Sequence, residues 1–222
     1  MTSDNHFLPL LIDMSDKHII IFGGGSVGER KALLFSQHSD VTVISRDFTP
    51  LLLENSKDKN GNIILVTEDA ATLSDEMISE FIEHAFLVIP ATNERPINEK
   101  IVAVAKAKGI LTNQVDAIGD VTVPSVIKRG ELTVSISTSG SSPAFSKYTR
   151  QKVEKVITPQ FADMIEIQDS IRSYLKENVS DQKERKDILW KVLDSKDVWS
   201  ALEESYEKGF KTAQAIVSRN LA

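Results

Sequence analysis

No cysteine occurs among the 222 residues of this chain. That absence excludes disulfide scaffolds, thiolate zinc sites, cluster-binding thiolates and cysteine nucleophiles together, and it fits a reducing cytoplasm. Long apolar runs are also missing. The apolar stretch at residues 7–12 lies among Asp4, Asp13 and Asp16 and is too short for a signal or spanning segment, so a soluble, unsecreted protein with no membrane partner is expected. Positive charge is in deficit: 26 Lys and Arg face 32 Asp and Glu, a net charge of -6 that argues against general nucleic-acid or membrane-surface binding. Histidine is sparse, and His6, His18, His38 and His84 show no metal-ligand spacing, so no metal site is expected. Neither an internal repeat nor a low-complexity tract is visible.

What is present is enough apolar residue, 41% of the chain, to bury a core in one large domain or one domain with an appendage. Charge is unevenly spread. Residues 51–100 hold ten acids and four bases, whereas residues 121–160 hold Lys128, Arg129, Lys147, Arg150, Lys152 and Lys155 against Glu131 and Glu154. Such a local basic patch can serve a small polyanion even on an acidic protein.

In the first two thirds, short β-branched runs at 18–22, 41–45, 62–66, 85–90 and 110–114 alternate with amphipathic stretches at about 26–38, 74–83 and 95–108. This alternation predicts βαβ units and a doubly wound parallel α/β sheet of the Rossmann-like kind. From Val121 the rhythm changes to two strand-like runs, 121–127 and 131–137, joined at Arg129-Gly130 with no room for a helix, which predicts a hairpin or arm. After Ser142-Pro143 the chain reads as helical to its end, because Pro suits the first helical turn behind a Ser cap. Trp199, Leu202, Tyr206, Phe210 and Ala213 fall at spacings of three and four, a single apolar stripe for helix packing. The expected domains are therefore 1–117, 118–142 for the arm and 143–222 for the helical part.

The first strand runs into Gly23-Gly24-Gly25-Ser26-Val27-Gly28, a GxGxxG that follows a strand and opens a helix. In that context Gly23 allows a tight turn, Gly25 lets a pyrophosphate approach the backbone, Gly28 lets the helix pack on the sheet, and the helix N-terminus, with Ser26 and Val27, faces the phosphates. A dinucleotide is the natural ligand. At the end of the second strand stands Ser45-Arg46-Asp47. Asp47 could accept from a ribose 2′-hydroxyl and favour NAD, while Arg46 could pair a 2′-phosphate and favour NADP, so the residues leave the preference open. Ligands sit outside the carboxyl ends of parallel strands, which directs Pro90-Ala91-Thr92-Asn93 and Asn113-Gln114-Val115-Asp116 toward the nicotinamide half of the site. Asp116 is the best-placed acid for proton transfer.

Read in order, Leu8-Pro9-Leu10, the segment from Ile19 through the glycines to Glu29-Arg30-Lys31, Ala91-Thr92-Asn93, Asn113-Gln114-Val115-Asp116, Pro124-Ser125-Val126-Ile127 and Ser137-Thr138-Ser139-Gly140-Ser141-Ser142-Pro143 resemble the precorrin-2 dehydrogenase family. That family includes bifunctional dehydrogenase and ferrochelatase enzymes and the N-terminal portion of siroheme synthase. The resemblance covers about residues 7–155. It implies oxidation of precorrin-2 to sirohydrochlorin with NAD taking hydride and, in some members, insertion of Fe2+ to give siroheme. It also implies a homodimer joined through the arm, with Asp116 as general base or essential carboxylate. Multifunctional members tend to have Ala where Gly28 stands, and a varied polar stretch where Ser45-Arg46-Asp47 stands.

A flexible macrocycle ringed with carboxylates needs fixed donors and cations. Ser137, Thr138 and Ser139, immediately before a helix N-terminus, together with Lys147 and Arg150 and with Asn113 at the strand end, are the candidate substrate contacts. Two other readings of the same residues stay open. One is an NAD-sensing regulatory module whose helical tail signals to a partner; the other is a dehydrogenase for an unrelated small substrate.

Overall fold

The computed structural model describes residues 7–57, 61–115, 117 and 119–221. Strands β1 (His18–Phe22), β2 (Asp40–Ser45), β3 (Ile63–Thr67), β4 (Leu87–Pro90) and β5 (Leu111–Thr112) form one parallel sheet in the order β3-β2-β1-β4-β5. A strand covered on both faces has no polar side, which is why every residue of β4 and the last four of β1 are buried. Helices α1 (Ser26–Phe35) and α2 (Pro50–Asn55) place Ala32 and Leu52 over Ile19, Ile21, Val41 and Val43 on one face. On the other face α3 (Asp75–Phe81) and α4 (Arg95–Ala107) place Ile78 and Ile101 over Ile20, Phe22, Ile44 and Val88. Strand order reverses between β1 and β4, the position at which open α/β sheets bind ligands.

The short α2 is not anticipated by periodicity, since six residues make less than two turns. It forms because Thr49 accepts from the Leu52 amide and Pro50 opens the first turn. Strand β5 is shorter than the expected 110–114, since the chain leaves the ladder after the Asn113 amide has bonded to the Val88 carbonyl.

The chain divides into two units, Met1–Val123 and Pro124–Ala222. The second opens with an antiparallel hairpin of β6 (Ser125–Arg129) and β7 (Leu132–Ile136), turning at Gly130 with φ of 54°. Its first strand starts four residues later than the expected 121. Val121 instead bonds the Thr112 carbonyl through its amide and packs on the parallel sheet. Five helices follow: α5 (Pro143–Val153), α6 (Gln160–Asn178), α7 (Gln182–Leu193), α8 (Lys196–Glu204) and α9 (Tyr206–Leu221). Ser142 caps α5 by accepting from the Phe145 amide, with Pro143 at the first turn as expected. The apolar stripe from Trp199 to Ala213 lies on two helices, not one. Ser205 is extended (φ -165°, ψ 160°), ends α8 and caps α9 through the Lys208 amide. Leu202 and Ala213 are buried in the helical core, with Trp199, Tyr206 and Phe210 partly buried against it.

Candidate active site

The glycine turn after β1 is shaped by contacts that a side chain would break. At Gly23 (φ 117°) a Cβ would sit 2.4 Å from the Ala91 carbonyl oxygen, and at Gly28 only 1.8 Å from the Gly23 carbonyl oxygen. Helix α1 therefore lies closer to the β1 turn than an alanine at position 28 permits. Gly25 differs: nothing stands within 4 Å of the place its Cβ would take, so its backbone is open to a ligand. No side chain caps α1, whose first amides are free to meet an anion. Ser26 is exposed and Val27 half-buried in that first turn.

This turn is one wall of an open cleft that Gly23, Gly25, Ser45, Arg46, Asp69, Ala70, Ala71, Thr92, Asn93 and Ile97 help to line. The cleft thus gathers the carboxyl ends of four strands, β1 to β4. Arg46 reaches it and meets Asp69 at 3.5 Å, whereas Asp47 is exposed and not part of the lining. Asp69 also accepts from the Ala71 amide at 3.0 Å. Its position after β3 lies outside the glycine-motif fingerprint, which is why sequence reasoning passes over it. Thr92 is held by Asn98 of α4: its hydroxyl donates to the Asn98 amide oxygen at 2.7 Å, and the Asn98 amide donates back to the Thr92 carbonyl at 3.0 Å. Open backbone at Gly25, uncapped amides and small apolar walls at Ala70 and Ala71 together fit a dinucleotide.

Asp116 lies outside the described residues, and on either side of it the chain is tied back to the end of β5. Asp120 Oδ2 accepts from both the Thr112 amide (3.0 Å) and the Thr112 hydroxyl (2.7 Å), while the Val121 amide returns to the Thr112 carbonyl. Those bonds hold the Asp120 carboxyl below the usual carboxylate range, the Thr112 hydroxyl contributing most. Asn113, expected to meet substrate, is buried and directed elsewhere. Its amide nitrogen donates to the Val121 carbonyl at 2.7 Å, and its oxygen accepts from Lys31 of α1 at 2.7 Å. Burial, helped by the neighbouring Arg30, lowers the Lys31 ammonium pKa. On either side of Asp116, Gln114, Val115 and Ala117 line a hollow shared with Pro90 and Asn98.

In the second unit, Ser137, Thr138 and Ser139 form the turn before α5, with Ser139 at φ 53° and Gly140 at φ 85°. Thr138 is spent on that turn: its hydroxyl donates to the Ser142 carbonyl, accepts from the Ser142 amide and lies 3.1 Å from the Ser146 hydroxyl. Ser137 is exposed and accepts from the Ser139 amide. Lys147 is exposed, whereas Arg150 is paired with Glu154 at 2.8 Å, a carboxylate that also meets Arg129 at 3.5 Å. Among the described residues no group of three or more His, Asp or Glu could hold a metal ion.

Sheet order, glycine turn and cleft define the class: an NAD(P)-binding α/β protein with a helical C-terminal part. Residues 10–125 match a family model provisionally described as NAD(P)-binding, and 129–155 match the central part of a sirohaem biosynthesis protein. Over 221 residues the chain is 53% identical to the precorrin-2 dehydrogenase of Methanosarcina barkeri, covering 100% of this chain and 98% of that one. It is 32% identical to siroheme synthase of Psychromonas ingrahamii over 77% of this chain but only 35% of that longer one. The solved structure of SirC, a precorrin-2 dehydrogenase, superposes with a TM-score of 0.73 over 96% of this chain and 100% of that one, at 17% identity, so the fold is shared. The chain belongs to the precorrin-2 dehydrogenase family.

Proposed function

We infer that the chain catalyses NAD-dependent oxidation of precorrin-2 to sirohydrochlorin, on the way to siroheme and related modified tetrapyrroles. The observation that carries this is end-to-end identity of 53% to a precorrin-2 dehydrogenase, joined to a glycine-turn cleft that fits a dinucleotide. Precorrin-2 dehydrogenase and siroheme synthase are both enzymes, which favours catalysis over a nucleotide-sensing module.

The bound nicotinamide supplies the hydride acceptor for this two-electron oxidation. The α1 amides and Gly25 would hold the pyrophosphate, and Thr92, fixed by Asn98, and Asn93 line the same cleft at the end of β4 and would meet the rest of the nucleotide. Asp116 takes the proton that leaves the macrocycle as hydride departs. Support for this role comes from its place in the sequence just beyond β5, between Gln114-Val115 and Ala117, which line a hollow with Pro90 at the end of β4. Ser137, Ser139 and Lys147 receive substrate carboxylates, and Arg150 joins them where Glu154 releases it.

The active form is a homodimer in the cytoplasm. A two-stranded hairpin with open outer edges and an exposed Val126 supports the first. The lack of cysteine supports the second. No helix among the described residues is long and apolar enough to cross a membrane.

The test is anaerobic incubation with precorrin-2 and either NAD+ or NADP+, following sirohydrochlorin and reduced nucleotide together by absorbance. Product in step with NADH supports the reading; nucleotide binding without product overturns it. Asp116→Ala should retain NAD binding and lose about a hundredfold or more in turnover, the range for a positioned acid or base. Full retained turnover removes Asp116 from the mechanism. Adding Fe2+ to the product asks whether siroheme follows.

A further inference from the structure

A groove of about 520 Å³ runs between α6 and α7 in the helical unit, lined by none of the residues of the candidate active site. Arg172 and Lys176, one turn apart on α6, form one bank; Arg185 and Lys186 of α7 form the other, and no carboxylate lines it. Arg172, Lys176 and Lys186 enter no ion pair among the described residues. Arg185 is fixed in place, its Nη1 donating to the Val179 carbonyl at 2.7 Å and the Ser180 carbonyl at 2.9 Å. Along the α7 bank lies Trp190, 52% exposed, beside Leu189.

These features conflict with an idle surface. Four cations line one groove with no carboxylate among its lining residues and repel one another there, on a chain whose net charge is -6; Asp187 and Asp194 flank Trp190 on its other side. An indole left half in water forfeits the burial that such a side chain normally gains. Both are relieved by a single kind of occupant: a flat apolar body that covers the indole, with carboxylates around its edge to meet the cations. Guanidinium groups suit carboxylates through paired donors, and lysine stems add apolar contact below their charged ends.

The geometry points to the α6–α7 groove as a second tetrapyrrole-binding site, one that takes a carboxylate-fringed macrocycle with its ring against Trp190. The ligand's identity rests on the precorrin-2 reading; the groove's preference for an aromatic polyanion does not. A separate holding site keeps the oxidised, flattened macrocycle bound to the enzyme after oxidation.

Uroporphyrin, a stable octacarboxylate tetrapyrrole, is the probe, titrated into the full-length protein with tryptophan fluorescence and calorimetry as readouts. Wild type should bind it with quenching that Trp190→Phe diminishes and that added salt weakens. Arg172→Glu/Lys176→Glu should lower the affinity about tenfold or more while NAD affinity stays unchanged. Both positions are exposed, and the milder Arg172→Gln/Lys176→Gln pair serves if charge reversal impairs folding. Equal uroporphyrin affinity in the charge variants, or unchanged quenching in Trp190→Phe, overturns the site. So does a preference for a single-stranded oligonucleotide over uroporphyrin at the same residues. Groove-dependent binding in an enzyme that fails to oxidise precorrin-2 would sink the dehydrogenase reading alone. Turnover with unaltered uroporphyrin binding in the variants would sink the groove alone.

Discussion

A lysine ammonium drawn out of water needs a strong acceptor, and Lys31 has one in the Asn113 side chain. The bond matters because Asn113 also holds Val121, so one residue of α1 braces both ends of the loop that bears Asp116. Replacing Lys31 by Met removes a charge-assisted hydrogen bond and leaves a buried amide oxygen without its donor. The expected result is a fall of about tenfold in kcat with the KM for NAD unchanged, read by steady-state kinetics with each substrate varied in turn. Lys31→Arg, which keeps the charge and a donor, should recover part of the loss. An equal rise in both KM values would show instead that α1 as a whole had moved.

At the scale of the element, the 113–121 loop is closed by Asp120 on Thr112, and that closure has a pH signature. The native Asp120 pKa lies below its unfolded value of about 3.9. Its contribution to stability is therefore complete above the unfolded pKa and is lost as pH falls through the native one. Comparison of urea midpoints for wild type and Asp120→Asn isolates this group, since the other acids titrate in both. Wild type should be the more stable at pH 7, and the gap should close on acidification below about pH 4. A gap independent of pH would mean that the Thr112 bonds do not depend on the charge.

For the whole molecule, an isolated two-stranded hairpin is marginal in water, and this one presents Val126 at 44% exposure with no strand paired to its outer edges among the described residues. Pairing with a second copy, as proposed above, would cover both. Sedimentation should give about twice the chain mass of 24.6 kDa, and Val126→Glu should shift it toward the monomer. A wild-type monomer at micromolar concentration would remove the arm from assembly.

The order of strands and helices in the first unit, the glycine turn, the Ser142 cap and the family itself are legible in the sequence, because each depends on neighbours along the chain. β-Branched runs make strands, Gly alone tolerates the turn at Gly23, and Ser-Pro starts a helix wherever it stands. Other features were decided only when distant segments met. Val121 reads as a strand residue, yet it packs on a sheet whose nearest strand ends at Thr112. Asn113 reads as a substrate contact, yet its side chain is taken up by Lys31, 82 positions away. Asp69 enters the cleft from just beyond β3, Arg129 of the hairpin meets Glu154 at the end of α5, and the cations facing each other across α6 and α7 have no pattern in one dimension. Local preference is set by torsion angles and caps, whereas the partners of a polar side chain are set by what the folded chain brings within about 3 Å of it.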